Sequence, residues 1–350
     1  MSEGVRGSAP RHALVGGGLG SALAAVARYR EASIALVALI LVTYFQARNP
    51  AFLTTAELSV VLRDAGEIAL IAVGETLLMI TGEIDLSAGS TFALAPVVMN
   101  LLARGGRPLW LGALVGLAIG VGVGFANGVI TVRLRVPSLI ATLGTLFFVS
   151  GLAVTLAHSQ PVATPVHQPF NVIFGDNQYS PTTPFWSWRT VTAFTPFLWA
   201  LAAALITAGV LRWTTFGLHT VATGSNITAA REIGVRVERT KIANFMLAGG
   251  LAALIGIINA VQYASADPIA GGSALTLQAI AAAVVGGTSL FGGSGTTVGS
   301  LIGAFVVATL NNGLVLIGAQ ATQSDIYLGA GIVAAMILNV WAGTVRGRAR

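Results

Sequence analysis

Long apolar segments separated by short polar gaps dominate the chain. A helix of about 20 consecutive apolar residues crosses a bilayer. Segments of this kind cover residues 32–47, 57–81, 86–103, 109–132, 138–157, 193–211, 242–263, 275–290, 296–318 and 325–344. The pattern predicts an all-α, multi-pass membrane protein with about ten transmembrane helices, some of them broken or re-entrant.

Composition supports this class. The 350 residues are 55% hydrophobic and only 9% charged, whereas about a quarter of residues are charged in soluble domains. All but one of the 19 basic residues are arginine. They lie mainly in alternate gaps, which is the orientation signal of a membrane protein and not a nucleic-acid-binding pattern. Both termini are therefore predicted to be cytoplasmic.

The charge pattern also divides the chain. Residues 1–30 are predicted to be a basic cytoplasmic segment, in which 13–27 lies on the membrane surface or, alternatively, forms a signal peptide. Residues 31–345 form the membrane domain, with an external loop at 158–192 and a cytoplasmic loop at 212–241. Residues 346–350 are a basic cytoplasmic tail.

A polar segment interrupts the apolar pattern between the second and third spans. Polar backbone at membrane depth is tolerated only where it packs in protein or lines a wet cavity. The segment predicts either a broken helix, in which Ser87 caps the following helix and Asp85 holds the turn or a partner helix, or a plain cytoplasmic turn. Its marked residues are Gly82, Glu83, Asp85, Ser87, Gly89 and Ser90.

Charged residues also lie within the second span, namely Arg63, Asp64, Glu67 and Glu75. Such residues rarely face lipid. Arg63 and Glu67 are one helical turn apart and are expected to pair. The acids indicate an ion-paired structural face or, alternatively, a proton relay.

The cytoplasmic loop contains a short predicted helix of about two turns, which Asn226 or Ser225 caps and Gly234 ends. A rigid helix between long spans suits force transfer from a cytoplasmic partner, with Arg231 and Glu232 as polar contacts. Any solvated loop helix has a similar pattern. The marked residues are Gly224, Asn226, Ala229, Ala230, Arg231, Glu232 and Gly234.

Two further groups of residues are candidates for moving or lining parts. A glycine-rich stretch predicts a hinge or close helix packing at Gly286, Gly287, Gly292 and Gly293. It also echoes the broken segment, since Gly82, Gly89 and Ser90 correspond to Gly292, Gly299 and Ser300. Amides in or beside spans are candidates for a translocation path or for interhelical bonds: Asn127, Gln278, Asn311 and Asn312.

The sequence predicts no catalytic residues, no metal site and no bound cofactor. It has no phosphate-binding Gly-x4-Gly-Lys-[Ser/Thr] loop, no His-Glu-x-x-His helix and no cysteine. Gly292-Gly293-Ser294-Gly295 fits the loop of intramembrane serine proteases, but no histidine falls within a predicted span to activate the hydroxyl.

Together, these segments resemble the permease subunits of ribose-, xylose- and arabinose-type ABC importers over residues 32–345. The resemblance rests on three stretches: 82–90, the Ala229-Ala230-Arg231 run with Gly234, and 286–293 continuing to Asn311-Asn312. Glu83 and Glu232-Ile233 depart from the family pattern, which leaves the substrate open.

The resemblance implies an inner-membrane permease that forms a dimer, most simply a homodimer. It would receive a sugar from an extracytoplasmic binding protein, and a separate ATPase with two nucleotide sites would drive it, with ATP and Mg bound there. The marked residues of the cytoplasmic loop would touch that ATPase. Nucleoside or branched-chain amino acid import, or a proton-coupled carrier using the buried acids, are the alternatives.

Overall fold

The computed structural model describes residues 30–165, 170–174 and 194–320, and a few helical positions between 326 and 337. The predicted all-α membrane protein is confirmed, since six helices in these ranges are long and apolar enough to cross a membrane. The helices are α1 (Arg30–Arg48), α2 (Thr55–Ile80), α3 (Ala88–Arg104), α4 (Leu109–Val132), α5 (Ser138–Leu156), α6 (Phe170–Phe174), α7 (Thr195–Trp213), α8 (Thr215–Ser225), α9 (Ile227–Glu232), α10 (Val237–Gln262), α11 (Gly272–Val285) and α12 (Thr297–Leu316).

Most predicted spans coincide with helices, and α4 has the predicted bounds. The helix α10 begins at Val237 instead of 242, because the polar residues before the apolar region continue the same helix. The helix α11 ends at Val285 instead of 290, because Gly287 has a positive φ of 89°. The surface segment 13–27, most of the span 325–344, the tail 346–350 and much of the loop 158–192 lie outside the described residues.

The helix α2 packs against α7, α10, α11 and α12. Every residue from 68 to 80, which we call the inner half, is buried. Gly74 brings this half against the backbone of Ala248 on α10, so closely that an added Cβ would lie 2.9 Å from the Ala248 Cα atom. Residues 55–67, the outer half, include partly exposed polar side chains.

At the end of the bundle where the outer half of α2 begins, two loops are joined to each other and to α3. The strand β1 (Val162–Ala163) pairs antiparallel with β2 (Ser265–Ala266). Asn100 on α3 donates hydrogen bonds to the Val162 carbonyl oxygen (2.9 Å) and to Thr164 Oγ1 (2.8 Å). The start of the predicted external loop is thereby fixed to α3 and to the α10–α11 connection.

The inner half of α2 ends at the opposite end of the bundle, where two helix breaks meet. One break joins α2 to α3 and the other joins α11 to α12. A Cβ added to Gly292 would lie 3.3 Å from the Gly82 nitrogen, so the glycines paired in the sequence echo lie against each other. Gly89 and Gly299 occupy equivalent places, in the first turn of the helix that follows each break.

Candidate functional site

The short helix α9 has a defined start and a defined end, as the sequence predicted. Asn226 Oδ1 accepts a hydrogen bond from the Ala229 N–H at 3.0 Å, which satisfies a free donor of the first turn. Gly234 has φ of 86°, and its N–H donates to the Arg231 carbonyl oxygen at 3.0 Å. The Val235 N–H donates to the Ala230 carbonyl oxygen at 2.9 Å. This is a Schellman ending, which stops the helix sharply.

One face of α9 is anchored and the other is exposed. Ala230 is buried in a small apolar cluster with Val235 and Val237. Arg231 Nη2 lies 2.6 Å from Glu238 Oε1 at the start of α10. In this structure, Ala230 therefore lies on the buried face of the helix and packs against the chain itself. The exposed members of the predicted set are Asn226, Ala229, Arg231, Glu232 and Gly234.

The break after α2 is also built by a glycine ending. Gly82 has φ of 81°, and its N–H donates to the Met79 carbonyl oxygen at 2.9 Å. The Glu83 N–H donates to the Leu78 carbonyl oxygen at 3.1 Å. Residues 83–85 then run without regular structure until α3 begins at Ala88. The segment is a broken helix, and the position of Glu83 is fixed by the end of α2.

Asp85 organises the rest of the break. It accepts hydrogen bonds from the Ser87 N–H (2.8 Å), from Ser87 Oγ (2.6 Å) and from Asn127 Nδ2 on α4 (3.2 Å). Asp85 therefore holds both the turn and a partner helix. The expectation that the Ser87 side chain caps α3 is wrong, because Ser87 Oγ donates to Asp85, accepts from Asn127 Nδ2 and receives no N–H from the first turn.

Asn127 has no free amide group to offer a solute. It is fully buried, and besides its bond to Asp85 it donates to Ser87 Oγ at 2.8 Å and accepts from Thr145 Oγ1 on α5 at 2.7 Å. Its place on a translocation path stays a prediction, since the amide is fully engaged in this structure. Asn127 acts as an interhelical bond joining the break to α4 and α5.

The remaining marked residues of the break are packed. Ser90 Oγ donates to the Ser87 carbonyl oxygen at 2.8 Å, and the Gly89 N–H donates to Thr276 Oγ1 on α11 at 2.8 Å. Glu75, in the inner half of α2, accepts from the Asp85 N–H at 3.3 Å through Oε2. Its Oε1 atom is buried with no hydrogen-bond partner in the described parts of the chain.

The glycine-rich stretch meets both the break and the cytoplasmic loop. The Gly293 N–H donates to the Ile80 carbonyl oxygen at 2.9 Å. Gly224, at the end of α8, lies against the same carbonyl, where an added Cβ would overlap the oxygen. Gly286 packs on Gly299 of α12, with an added Cβ 2.5 Å from the Gly299 carbonyl carbon. Two stretches that are distant in sequence, around Gly224 and Gly293, therefore converge on the last residue of α2.

A salt bridge adds a second contact at this place. Lys241 Nζ, on the second turn of α10, lies 2.5 Å from Glu83 Oε1, and the two side chains are only 11% and 13% exposed. Sequence reasoning marked Glu83 but missed its partner. Lys241 is the only lysine of the chain, which was the one available signal.

The outer half of α2 carries a different polar group. Asn312 Nδ2 on α12 donates to Asp64 Oδ2 at 2.9 Å, and Asn259 Nδ2 on α10 donates to Glu67 Oε1 at 2.7 Å. Arg63 lies over the Tyr263 ring, 5.3 Å from its centroid. The expected Arg63–Glu67 ion pair is wrong, because Glu67 is engaged by an amide and Arg63 by an aromatic ring.

The remaining predicted path residues are Gln278 and Asn311, both half-buried, on α11 and α12. Only Asn312 of the predicted amides is joined to the outer half of α2. Asn259 is a further amide that the sequence marked beside a span, whereas its contact with Glu67 and the position of Tyr263 over Arg63 were not predicted. No group of three or more His, Asp or Glu side chains with metal-site geometry occurs in the described residues.

A bundle of long apolar helices, with two helix breaks and a capped helix at one end, is consistent with a transport permease. A family profile described as "Branched-chain amino acid transport system / permease component" matches residues 57–338. The chain belongs to this family and is a multi-pass protein of the cytoplasmic membrane.

Several named proteins are similar over nearly the whole length. The xylose/arabinose import permease protein of Sulfolobus acidocaldarius is 33% identical over 324 residues, covering 91% of this chain and 86% of that protein. The autoinducer 2 import system permease protein of Salmonella typhi is 34% identical, covering 89% and 85%. Its counterpart from Photorhabdus luminescens is 33% identical, covering 89% of both chains. No solved structure matches.

Proposed function

We propose that this chain is the permease subunit of an ATP-driven ABC importer and that it forms the translocation path for a sugar. The observation that carries the proposal is α9, a capped helix that leaves polar residues exposed and is anchored beside the break of α2. The sequence has no phosphate-binding loop, so ATP binding has to come from another subunit. The two permeases of named substrate, for xylose/arabinose and autoinducer 2, support a sugar-like solute.

The complete importer would contain further components. We expect a cytoplasmic ATPase with two nucleotide sites, which holds ATP and Mg, an extracytoplasmic sugar-binding protein and a second copy of this chain. A binding protein would deliver solute at the end of the bundle where β1 and β2 pair. The ATPase would dock at the end that carries α9.

Docking through α9 is tested by Arg231→Ala. Arg231 is exposed, so its removal costs the chain only about 0.5 kcal/mol of stability. We expect ATPase co-purification to fall about tenfold while membrane insertion stays normal. Arg239→Ala, an equally charged and exposed position at the same end of the bundle on α10, is the matched control. Undiminished co-purification of the Arg231 variant would refute the docking assignment.

The solute path is proposed to pass the outer half of α2. Ionisable side chains within membrane helices mark substrate pathways, and Asp64, Glu67 and Asn312 are partly exposed there. Carboxylate oxygens accept and amides donate hydrogen bonds, which suits the hydroxyl groups of an uncharged polyol. Uptake of labelled pentose by the reconstituted importer, with unlabelled pentoses, nucleosides and leucine as competitors, tests the solute class.

Import of branched-chain amino acids is the second candidate. The family description names these solutes, and one side chain favours them: the buried Nε of Arg63 has no hydrogen-bond partner in the described residues. A guanidinium group binds a carboxylate well. Arg63→Gln should abolish leucine competition under this candidate and should leave pentose uptake within about twofold under the sugar proposal.

A further inference from the structure

The cytoplasmic loop is attached to the break of α2 on both sides of α9. Before α9, Gly224 packs on the Ile80 carbonyl group, which also accepts the Gly293 N–H. At its end, Lys241 pairs with Glu83. The helix α9 lies between these two attachments and is itself joined to α10 through Arg231 and Glu238. A displacement of α9 therefore reaches the break along two routes.

The two attachments differ in kind. The Gly224 contact joins backbone to backbone. It resists the two segments being pushed together but does not resist their separation. The Lys241–Glu83 contact joins opposite charges that are both nearly buried, so separating them leaves two unpaired charges in a poorly solvated place. The ion pair therefore also resists being pulled apart, and it can transmit motion in both directions.

Beyond Glu83, the connection continues into the bundle. Glu83 is hydrogen-bonded through its backbone to the last turn of α2, and two residues later Asp85 binds Asn127 on α4. Asn127 in turn holds Thr145 on α5. A pull on Glu83 acts on the end of α2 and on the anchor of α4 at the same time.

We propose that the Lys241–Glu83 ion pair transmits movement from the ATPase-docking helix α9 to the broken helix, so that both residues are positioning residues for ATP-driven transport. The inference rests on the proposed function and adds to it the contact through which docking becomes movement of the bundle. Coupling between distant sites is carried by packed side chains, ion pairs and rigid elements that have two arrangements.

The test uses the full importer in proteoliposomes, with solute uptake and ATP hydrolysis measured together. Lys241→Met alone would strand a buried carboxylate, so the main variant is the double neutral change Glu83→Gln with Lys241→Met. We expect it to insert and to bind the ATPase normally, while solute moved per ATP falls about tenfold. The charge-exchanged pair, Glu83→Lys with Lys241→Glu, should recover at least about half of the coupling, as should Lys241→Arg.

A purely structural salt bridge predicts a different result. Replacing a buried ion pair by neutral side chains is often harmless to stability. If the double neutral variant moves as much solute per ATP hydrolysed as the parent does, the proposal is overturned. Arg239→Met, which removes a positive charge two residues before Lys241 without touching Glu83, should leave the ratio unchanged.

A second readout does not depend on the identity of the solute. The chain has no cysteine, so labels can be placed at Leu53→Cys and Leu134→Cys, two exposed positions near opposite ends of the bundle. We expect ATP to change the distance between these labels in the parent importer and not in the double neutral variant. An equal change in both, or no change in the parent, would overturn the role of the pair. Failure of the parent to take up sugar, with the distance change intact, would instead count against the proposed solute.

Discussion

The two halves of α2 solve the problem of crossing the membrane in opposite ways. The inner half is buried throughout and is approached by glycines, and it ends in a break that other backbone segments touch directly. The outer half keeps Arg63, Asp64 and Glu67 partly exposed, and side chains of α10 and α12 donate hydrogen bonds to its two carboxylates. The difference fits our proposals that one end of the helix transmits force and that the other end meets the solute.

The largest expected effect is the loss of stability when a side chain is added where backbones pack at the inner end. Gly224→Ala places a methyl group on the Ile80 carbonyl oxygen, and neither backbone can retreat cheaply. We expect a loss of about 3 kcal/mol or more, and little folded protein. Thermal unfolding in detergent and the yield of monodisperse protein measure it.

The control is Gly122→Ala on α4, because no atom lies within 4 Å of its added Cβ. That change should be neutral or raise stability by up to about 1 kcal/mol, since alanine favours helix. Equal behaviour of the two variants would show that the inner end tolerates expansion, and the contrast between the halves would then fail.

The polar anchor of the break comes next in expected effect. Asp85→Ala removes the acceptor for the Ser87 N–H and hydroxyl and one of the two acceptors of the buried Asn127 amide. We expect a loss of about 2 kcal/mol and a strong fall in uptake per ATP. Unfolding temperature and coupled uptake are the measurements. Thr155→Val, an exposed residue on α5, is the control with no expected change in either.

Features that depend on neighbours in sequence were predictable, and features that depend on distant contacts were not. The start and end of α9 follow from Asn226 and Gly234, because capping is decided within a few residues. The Lys241–Glu83 pair spans 158 residues, so no local pattern indicates it. The alternation of apolar segments similarly gave the helices of the bundle and not their arrangement.

The mistaken details have a common physical cause. Ser87 was expected to cap α3, and Glu67 to pair with Arg63, because each partner lies within one turn along the chain. In the folded bundle, Asn127 on α4 donates to Ser87 Oγ, and Asn259 on α10 donates to Glu67. Buried polar groups are hydrogen-bonded, and here the partners come from other helices, which the order of residues within one helix does not show.

At the outer end, we expect function to change more than stability. Asn312→Leu removes a donor to Asp64 and puts an apolar group on the proposed path. We expect the apparent KM for the solute to rise about tenfold, with the unfolding temperature lowered by only a few degrees. Asn244→Leu changes a buried amide on α10 that bonds Thr220. It should lower the unfolding temperature more and leave the apparent KM nearly unchanged. An unchanged KM for the Asn312 variant would remove this half of α2 from the path.

The smallest expected effect separates ATP-driven import from a proton-coupled carrier. Glu67→Gln removes a titratable group but keeps an oxygen that can accept the bond from Asn259. For an importer driven by ATP, uptake should stay within about twofold of the parent and should survive a protonophore while ATP is present. A carrier that moves protons through Glu67 would lose uptake in both experiments. Since the charge of Glu67 is not needed to pair Arg63, its removal changes the electrostatics of the outer half without breaking a contact of the bundle.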